Sequence, residues 1–303
     1  MSSLLLLFGC LALGLLLQRV RDFPLNSPQV LNQFIIYISL PALALYFIPD
    51  IKLDSTVLLP VAVGWICFAA SVLFFWGLGK MFGWSRKLIG CLILTAGLGN
   101  TSFIGFPVVE ALYGPEGLKT AILIDQPGTF VVLSTLGIAL AAYFSKGQPD
   151  AKAIIRKIFF FPPFLMFFLA LLLNVLNLSF PDVLKEAFQR LGSTVTPLAL
   201  VSVGMQLRFE RRSRHWRFLA LGLLFQLILA PLLIYLLYVR VLGVKGETAQ
   251  ISVIEAAMAP MISASIVASS YGLKPRLANM MVGFGIPLSF LTIAFWYWLV
   301  QGV

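Results

Sequence analysis

Residues 99–114 read Gly-Asn-Thr-Ser-Phe-Ile-Gly-Phe-Pro-Val-Val-Glu-Ala-Leu-Tyr-Gly and lie inside a hydrophobic run that is long enough to cross a membrane. Two residues of this stretch oppose an uninterrupted spanning helix. Pro107 has no N–H group and its ring clashes with the preceding turn, and Gly105 adds a second weak point. The sequence therefore predicts a spanning helix that is broken at Gly105 and Pro107.

Polar side chains flank this predicted break. Asn100, Thr101 and Ser102 come just before it, and Glu110 follows it. Because an unpaired backbone group is costly in hydrocarbon, a broken helix persists only where protein or a water-filled cavity surrounds it. Spans interrupted in this way are typical of transporter binding sites. The alternative is a proline kink that serves packing alone, but the second half of the chain repeats the pattern, which favours a binding site.

The composition is that of a polytopic membrane protein. Of the 303 residues, 60% are hydrophobic and 11% are charged, and the mean hydropathy is +0.96. These values exclude a soluble globular domain. We interpret the first apolar run, Leu4–Leu17, as a span, because it lacks the basic region and cleavage site of a signal peptide. The three cysteines lie in apolar runs without metal-binding spacing, so no metal or other cofactor is expected.

The predicted fold class is an all-α polytopic membrane protein with ten transmembrane helices, since each span takes about 20 residues and the linkers are short. No loop is long enough to form a separate domain. The predicted spans cover residues 3–18, 28–48, 56–82, 87–113, 117–144, 154–178, 183–207, 216–240, 248–271 and 276–300.

The distribution of basic residues predicts the orientation. Of the 22 Lys and Arg residues, 16 lie in or beside the loops after spans one, three, five, seven and nine, and 6 lie on the other side. Because cytoplasmic loops carry the excess, both termini are predicted to be extracytoplasmic. These loops explain the net charge of +10, so we expect a lipid bilayer and no nucleic acid as partner. The run Arg208–Arg217, which contains His215, is predicted to be such a loop; a lipid or protein site there is the alternative.

Short matches between the two halves indicate an internal repeat. The predicted repeat unit is five spans, residues 1–146 and 147–303, and an odd number of spans inverts the second copy, as in many secondary transporters. At offsets of 157, 156, 158 and 160 residues, the matched positions are Phe23-Pro24 with Phe180-Pro181, Pro41 with Pro197, Tyr113-Gly114 with Tyr271-Gly272, and Pro127 with Pro287.

The repeat predicts a second break, in span nine. Pro107 shifted by the offset falls near Ala264, and Pro260 lies one turn earlier. The half-helices after both breaks are expected to point their N-termini at one crossing, where free N–H groups form an anion site without a basic side chain. Pro41 and Pro197 would loosen the flanking helices. The other candidate substrate-binding residues are Asn100, Thr101, Ser102, Gly105, Pro107, Gln126, Pro260, Ser263, Ala264 and Ser265.

Three carboxyl groups lie within the predicted spans, and such groups mark ion or proton pathways. Asp125, in the run Asp-Gln-Pro-Gly, is predicted to be the coupling residue that binds H⁺ or Na⁺; the alternative is a carboxyl that fixes a bend through backbone contacts. Glu110 and Glu255 either line the outward path or reach the extracellular interface. Asn174 and Gln226 are expected to form interhelical hydrogen bonds instead.

The run from Asn100 to Pro107, followed by Tyr113-Gly114 and Asp125-Gln126, resembles the auxin efflux carrier family, which includes plant auxin exporters and bacterial organic-acid transporters. The resemblance covers the whole chain. It implies an NhaA-like fold with a scaffold of spans one, two, six and seven and a transport domain of spans three to five and eight to ten. It also implies carboxylate substrates bound at the crossing of spans four and nine, elevator-type alternating access and a homodimer through the scaffold. The chain lacks a long central loop and in this respect resembles bacterial members of the family. This resemblance implies an inner (plasma) membrane location.

The predicted function is secondary active transport of small organic anions such as malonate, malate or auxin-like acids. A cation/proton antiporter on the same fold is the main alternative. An antiporter would need a carboxylate pair or a lysine at the crossing, and the sequence places none there. An enzyme is disfavoured, because the chain has no HExxH or GxSxG motif and its only histidine lies in a loop.

Overall fold

The computed structural model describes residues 2–20, 22–24, 26–51, 57–145, 160–207 and 215–303. In these ranges the chain is helical with short connections and forms no β-strand, only one isolated backbone bridge. The helices are α1 (Ser2–Leu17), α2 (Ser27–Asp50), α3 (Leu58–Met81), α4 (Arg86–Gly97), α5 (Thr101–Ser145), α6 (Pro162–Val175), α7 (Asp182–Gly192), α8 (Val195–Gln206), α9 (Trp216–Val241), α10 (Glu247–Ala256), α11 (Ile262–Ser270) and α12 (Pro275–Val300).

Within the described ranges, helices α2, α3, α5, α9 and α12 are long and apolar enough to cross a membrane. Helix α6 and most of α1 are shorter apolar helices. An all-α integral membrane protein is therefore confirmed, whereas the ten-span inverted repeat and the orientation of the termini stay predictions. Residues 208–214 of the predicted basic loop lie outside the described residues, as do residues 146–159, which include the start of predicted span six.

The range of α5, Thr101–Ser145, contains two helical segments that meet in a bend at Gly114. Gly114 adopts φ 75° and ψ −176°, which is non-helical, and Pro115 follows it. A residue with a side chain rarely adopts this φ, and a proline cannot donate the next helical hydrogen bond. Wide π-type turns interrupt the regular helix before and after the bend, at Thr101–Gly105 and Asp125–Phe130. Such turns are frequent at functional sites.

The described residues divide into two compact units. The first unit contains those within 1–57, 102–122 and 158–207, and the second contains those within 58–101, 123–157 and 208–303. Residues 102–122, which belong to the predicted transport domain, fall in the first unit. The predicted roles of scaffold and transport domain stay predictions.

In the first unit, α1 crosses α8 at two glycines. A Cβ added at Gly14 would meet the carbonyl oxygen of Val201 and lie 2.9 Å from Gly204 Cα. A Cβ added at Gly204 would meet Leu11 O and lie 3.0 Å from Gly14 Cα. The two backbones thus approach as closely as the small-residue contacts of membrane helices allow.

Polar side chains of the first unit are paired across helices. Gln18 Nε2 donates to Gly204 O at 2.8 Å, and the hydroxyls of Ser39 and Thr194 lie 2.7 Å apart. Asn174 Nδ2 lies 2.7–2.8 Å from three backbone carbonyl oxygens at the end of α2, those of Ile48, Pro49 and Ile51. The last carbonyls of a helix have no intrahelical donor, so Asn174 supplies one. The prediction that Asn174 makes interhelical hydrogen bonds is correct.

In the second unit, glycines again permit close packing. A Cβ added at Gly64 on α3 would lie 2.7 Å from the backbone nitrogen of Thr129. A Cβ added at Gly285 on α12 would lie 2.5 Å from Cδ of Pro260. These contacts hold the turn at Asp125–Phe130 and the segment around Pro260 close to long helices.

Candidate functional site

Two helix interruptions meet in the second unit. Residues 98–100 are non-helical between α4 and α5, and residues 257–261 are non-helical between α10 and α11. Asn100 N donates to Ala259 O at 2.8 Å, and Met261 N donates to Leu98 O at 2.9 Å. Gly99 and Pro260 therefore face each other as an antiparallel bridge. Pro260 occupies the position of this bridge whose N–H is not needed, which is where a proline fits an antiparallel pair.

The predicted position of the first break is wrong. Gly105 ends the π-type turn Thr101–Gly105, and Pro107 is the second residue of the regular helix that follows. A proline is tolerated in the first turn of a helical segment, where its missing N–H is not required. The actual interruption begins at Leu98, several residues earlier. Ala264, the predicted counterpart of Pro107, likewise lies inside α11.

Asp125 is held by two neighbouring side chains. Thr101 Oγ1 donates to Asp125 Oδ1 at 2.6 Å, and Gln126 Nε2 donates to Asp125 Oδ2 at 2.7 Å. Asp125 is 2% exposed, and it opens the wide turn Asp125–Phe130, which also contains Pro127. The carboxyl group therefore has a donor on each oxygen. Of the candidates near the first interruption, the structure brings together Thr101, Asp125 and Gln126.

Glu255 lies in the last turn of α10, directly before the second interruption, and is 1% exposed. Neither Oε1 nor Oε2 accepts a hydrogen bond from any described residue. Asp125 is near enough for its negative charge to act on Glu255. The expected absence of a carboxylate pair at the crossing stays a prediction, while Asp125 and Glu255, 130 positions apart in sequence, lie within electrostatic range of each other.

Gln226 joins the same region from α9. Its Nε2 donates to Met258 O at 3.0 Å, so it bonds the non-helical interruption and not, as predicted, another helix. Its Oε1, like Gln126 Oε1, has no hydrogen-bond donor among the described residues. A Cβ added at Gly99 would lie 3.3 Å from Gln226 Nε2 and 3.3 Å from the backbone oxygen of Glu255. Gln226, which has one side-chain oxygen without a donor among the described residues, therefore lies beside the Gly99–Pro260 bridge.

The remaining candidates divide between the units. In the second unit, Asn100 is buried within the first interruption, and Ser263, Ala264 and Ser265 form the first turn of α11. In the first unit, Glu110 accepts a hydrogen bond from Thr196, so it is paired within that unit. The first unit also contains Pro41, Ser102, Gly105, Pro107 and Pro197.

Basic groups of the second unit lie at helix ends. His215 precedes α9, and burial together with the positive charges of Lys274 and Arg276 lowers the pKa of His215. Among the described residues, no group of three or more His, Cys, Asp or Glu side chains could hold a metal ion. The chemistry available at the interruptions is therefore that of hydrogen bonding and of two carboxyl groups.

Comparison with known proteins identifies the family. A family model described as membrane transport protein matches residues 1–297. The chain belongs to the auxin efflux carrier family. The resemblance noted in residues 100–107 is thereby confirmed.

Curated relatives of this auxin efflux carrier family member are transporters by name. One, an "Uncharacterized transporter" of Methanocaldococcus jannaschii, is 28% identical over 90% of this chain and 89% of its own length. Another, an "Uncharacterized transporter" of Methanothermobacter thermautotrophicus, is 27% identical over 94% of this chain and 93% of its own length. A third, from Rhizobium meliloti, is named "Putative malonate transporter" and is 22% identical over 97% of this chain and 93% of its length.

Two features of this family member's site were undervalued from sequence. Gln226, expected to form an interhelical hydrogen bond, instead contacts the second interruption. Gly99, the first residue of the motif, faces Pro260, which the sequence does not predict. A usable signal for Gln226 was its place five residues before Pro231 in an apolar span, because polar groups beside a proline often serve freed backbone groups. The pairing of Gly99 with Pro260 has no signal in local sequence.

Proposed function

We propose that this protein is a secondary active transporter of small organic anions, with the substrate bound at the Gly99–Pro260 bridge. The observation that carries the proposal is the pair of hydrogen-bonded helix interruptions inside a membrane protein. Irregular backbone at membrane depth is tolerated where it is buried in protein or lines a cavity, and it is a recurrent substrate-site design in transporters. Membership of a transporter family supports the transport class.

Two arguments support an anionic substrate. Helix α11 begins beside the bridge, and its first-turn N–H groups carry the partial positive charge of a helix N-terminus. The Rhizobium meliloti relative, although distant, is named for malonate. Asn100, Thr101, Gln126, Ser263 and Ser265 are the polar residues that we propose to contact the substrate. The roles predicted for Pro41, Ser102, Gly105, Pro107, Glu110 and Pro197 stay predictions.

The transport cycle is proposed to be of the elevator type and to be coupled to H⁺ or Na⁺ through the Asp125–Glu255 pair. Two nearby buried carboxyl groups repel each other when both are charged, so a cation or proton that enters or leaves the pair changes its free energy strongly. Dimerisation through the scaffold of spans one, two, six and seven is likewise proposed from the family alone.

A cation/proton antiporter is the second candidate, because the Asp125–Glu255 pair supplies the carboxylates that such a protein requires. An antiporter would respond to a sodium or pH jump with no organic anion present. An anion carrier would respond to the anion.

The test is the transient current of proteoliposomes adsorbed on a solid-supported membrane. Malonate, malate, other dicarboxylates and indole-3-acetate are each applied with and without sodium at two pH values, and chloride serves as the background anion. We expect a saturable current with at least one carboxylate. Asp125→Asn should reduce it strongly, whereas Asp50→Asn, which changes an exposed aspartate of the first unit, should not. A current from sodium or pH jumps alone, with none from any carboxylate, would establish the antiporter instead.

A further inference from the structure

Glu255 is a buried acid with no hydrogen-bond donor among the described residues. Its two carboxyl oxygens are both buried and unpaired, and the residue is 1% exposed. A charged carboxylate in such a place loses its hydration without compensation, which costs several kcal/mol even after relaxation. The fold must therefore neutralise Glu255 for most of the time, either with a proton or with a cation.

Asp125 makes this requirement stronger, and it differs from Glu255 in its contacts. Its negative charge acts on Glu255. Thr101 and Gln126 each donate a hydrogen bond to Asp125, so both of its oxygens are compensated. Of the two acids, Asp125 is thus arranged as a permanent acceptor, and Glu255 is the one that lacks a counterpart.

Two basic side chains on the helices packed against α10, Lys80 and Arg240, lie near helix ends over aromatic rings. Lys80 Nζ lies 5.4 Å from the ring of Trp76, and Arg240 Cζ lies 5.6 Å from the ring of Tyr235. The phenol of Tyr238 donates to Leu59 O. The titratable side chains on these packed helices are Cys67 and Lys80 on α3, Arg217, Tyr235, Tyr238 and Arg240 on α9, and Arg276 and Tyr297 on α12.

We propose that Glu255 is the proton-binding residue of this transporter, protonated while the site is closed and deprotonated when water reaches it, with Asp125 as a fixed hydrogen-bond acceptor. The step moves one proton between water and the Glu255 carboxylate, and no other bond changes. Gln126 Oε1 and Gln226 Oε1 likewise have no donor among the described residues. The coupling role of this proton rests on the proposed transport function, but its presence on Glu255 does not.

A proton fits these groups better than a sodium ion does. A proton needs one oxygen of Glu255 and neutralises it directly. A hard cation needs several oxygens that converge at short distance, and the carboxyl oxygens of Asp125 are already occupied by the donors of Thr101 and Gln126. Sodium is therefore the competing occupant that the experiment has to exclude.

Infrared difference spectroscopy of the purified full-length protein in lipid nanodiscs tests the proton site without any substrate. Spectra at acidic and alkaline pH are compared for the carbonyl stretch of a protonated carboxylic acid. We expect a band that Glu255→Gln removes and that Asp125→Asn and Glu247→Gln retain. Glu247 is the matched control because it lies exposed at the other end of α10. Glu255→Asp, the second variant in case the first folds poorly, should move the band and not delete it.

Two infrared results would overturn the proposal. One is a band that persists unchanged in Glu255→Gln, which would place the proton elsewhere. The other is a wild-type band that sodium abolishes at constant pH, which would make Glu255 part of a sodium site.

The coupling is measured separately, with radiolabelled malonate in proteoliposomes. A pH gradient of one unit can drive up to about tenfold accumulation per coupled proton. We expect Glu255→Gln to lose this accumulation while it retains malonate counterflow without a gradient. Accumulation equal to that of the wild type would overturn the coupling role. If the wild type carries no anion at all, the proposed function falls, and the infrared result still decides whether Glu255 holds the proton.

Discussion

The α1–α8 crossing of the first unit and the Gly99–Pro260 bridge of the second unit are both close backbone contacts, but their surroundings differ. In the first unit, the side chains of Gln18 and Asn174 donate hydrogen bonds to backbone carbonyl oxygens of neighbouring elements. In the second unit, side-chain oxygens of Glu255 and Gln226 receive no hydrogen bond from any described residue. The first crossing follows the rule that buried polar groups are paired, and the second violates it.

This difference separates stability from function. A fully paired polar group contributes to the folded state, so its removal costs stability. A buried group without a partner costs stability while it is present, and it persists where another role requires it. We therefore expect substitutions in the first unit to act on folding and substitutions at the bridge to act on transport.

The largest effect on stability is expected for Gly14→Ala. The added Cβ would meet Val201 O and lie 2.9 Å from Gly204 Cα, and two backbones cannot yield as a side chain can. Overpacking of this kind costs about 3 kcal/mol. Gly9→Ala is the control on the same helix, since nothing lies within 4 Å of its added Cβ, and it should stabilise slightly through helix propensity. Thermal unfolding of both proteins in detergent provides the measurement, and equal melting temperatures would contradict the close crossing.

Gly285→Ala is the corresponding glycine substitution next to the Gly99–Pro260 bridge. Its Cβ would lie 2.5 Å from Pro260 Cδ, so the interruption between α10 and α11 must shift. We expect a loss of about 2 kcal/mol, because irregular backbone relaxes more easily than two helices do. Anion-evoked current should fall far more than the stability loss explains. Gly77→Ala on α3 has open space around it and should keep the wild-type current; an unchanged current in Gly285→Ala would show that the bridge position is unimportant.

The apolar character and length of the helices could be predicted from the sequence, because hydrophobic runs report membrane burial directly. Pro260 was recognised as a helix breaker for the same local reason. The break predicted at Gly105 and Pro107 was wrong, because a proline near the start of a helical segment does not interrupt that helix. Gly105 ends the π-type turn that comes before it. The approach of Glu255 to Asp125 depends on how distant helices pack, which no local pattern encodes.

Asn174→Leu and Gln226→Leu compare the two regions directly, since both replace a side-chain amide by an apolar group of similar size. Asn174→Leu removes the side-chain donor that Ile48 O, Pro49 O and Ile51 O share, although Ile48 O keeps its bond from Ile51 N, and it should cost about 1 kcal/mol. Gln226→Leu loses the hydrogen bond to Met258 O, which lowers stability, but it also removes a buried oxygen that has no donor, which raises stability. We expect these two contributions to the free energy of unfolding to cancel to within about 0.5 kcal/mol. Unfolding and transport are measured for both. A lower melting temperature or a higher transport rate for Gln226→Leu than for Asn174→Leu would contradict the proposed difference between the two regions.

The smallest effect is expected for His215→Asn, and it sharpens the pH assignment at Glu255. Burial and the charges of Lys274 and Arg276 lower the pKa of His215, so the unfolded chain binds a proton more readily than the folded one does. Stability is therefore highest above the ordinary pKa of histidine and falls as the pH drops toward the lowered folded value.

His215→Asn should flatten this small dependence in melting temperatures measured from neutral to mildly acidic pH. It should leave the pH dependence of transport unchanged, because His215 lies outside the bridge region. If His215→Asn abolished the pH response of transport, the group that titrates would be His215 and not a member of the Asp125–Glu255 pair.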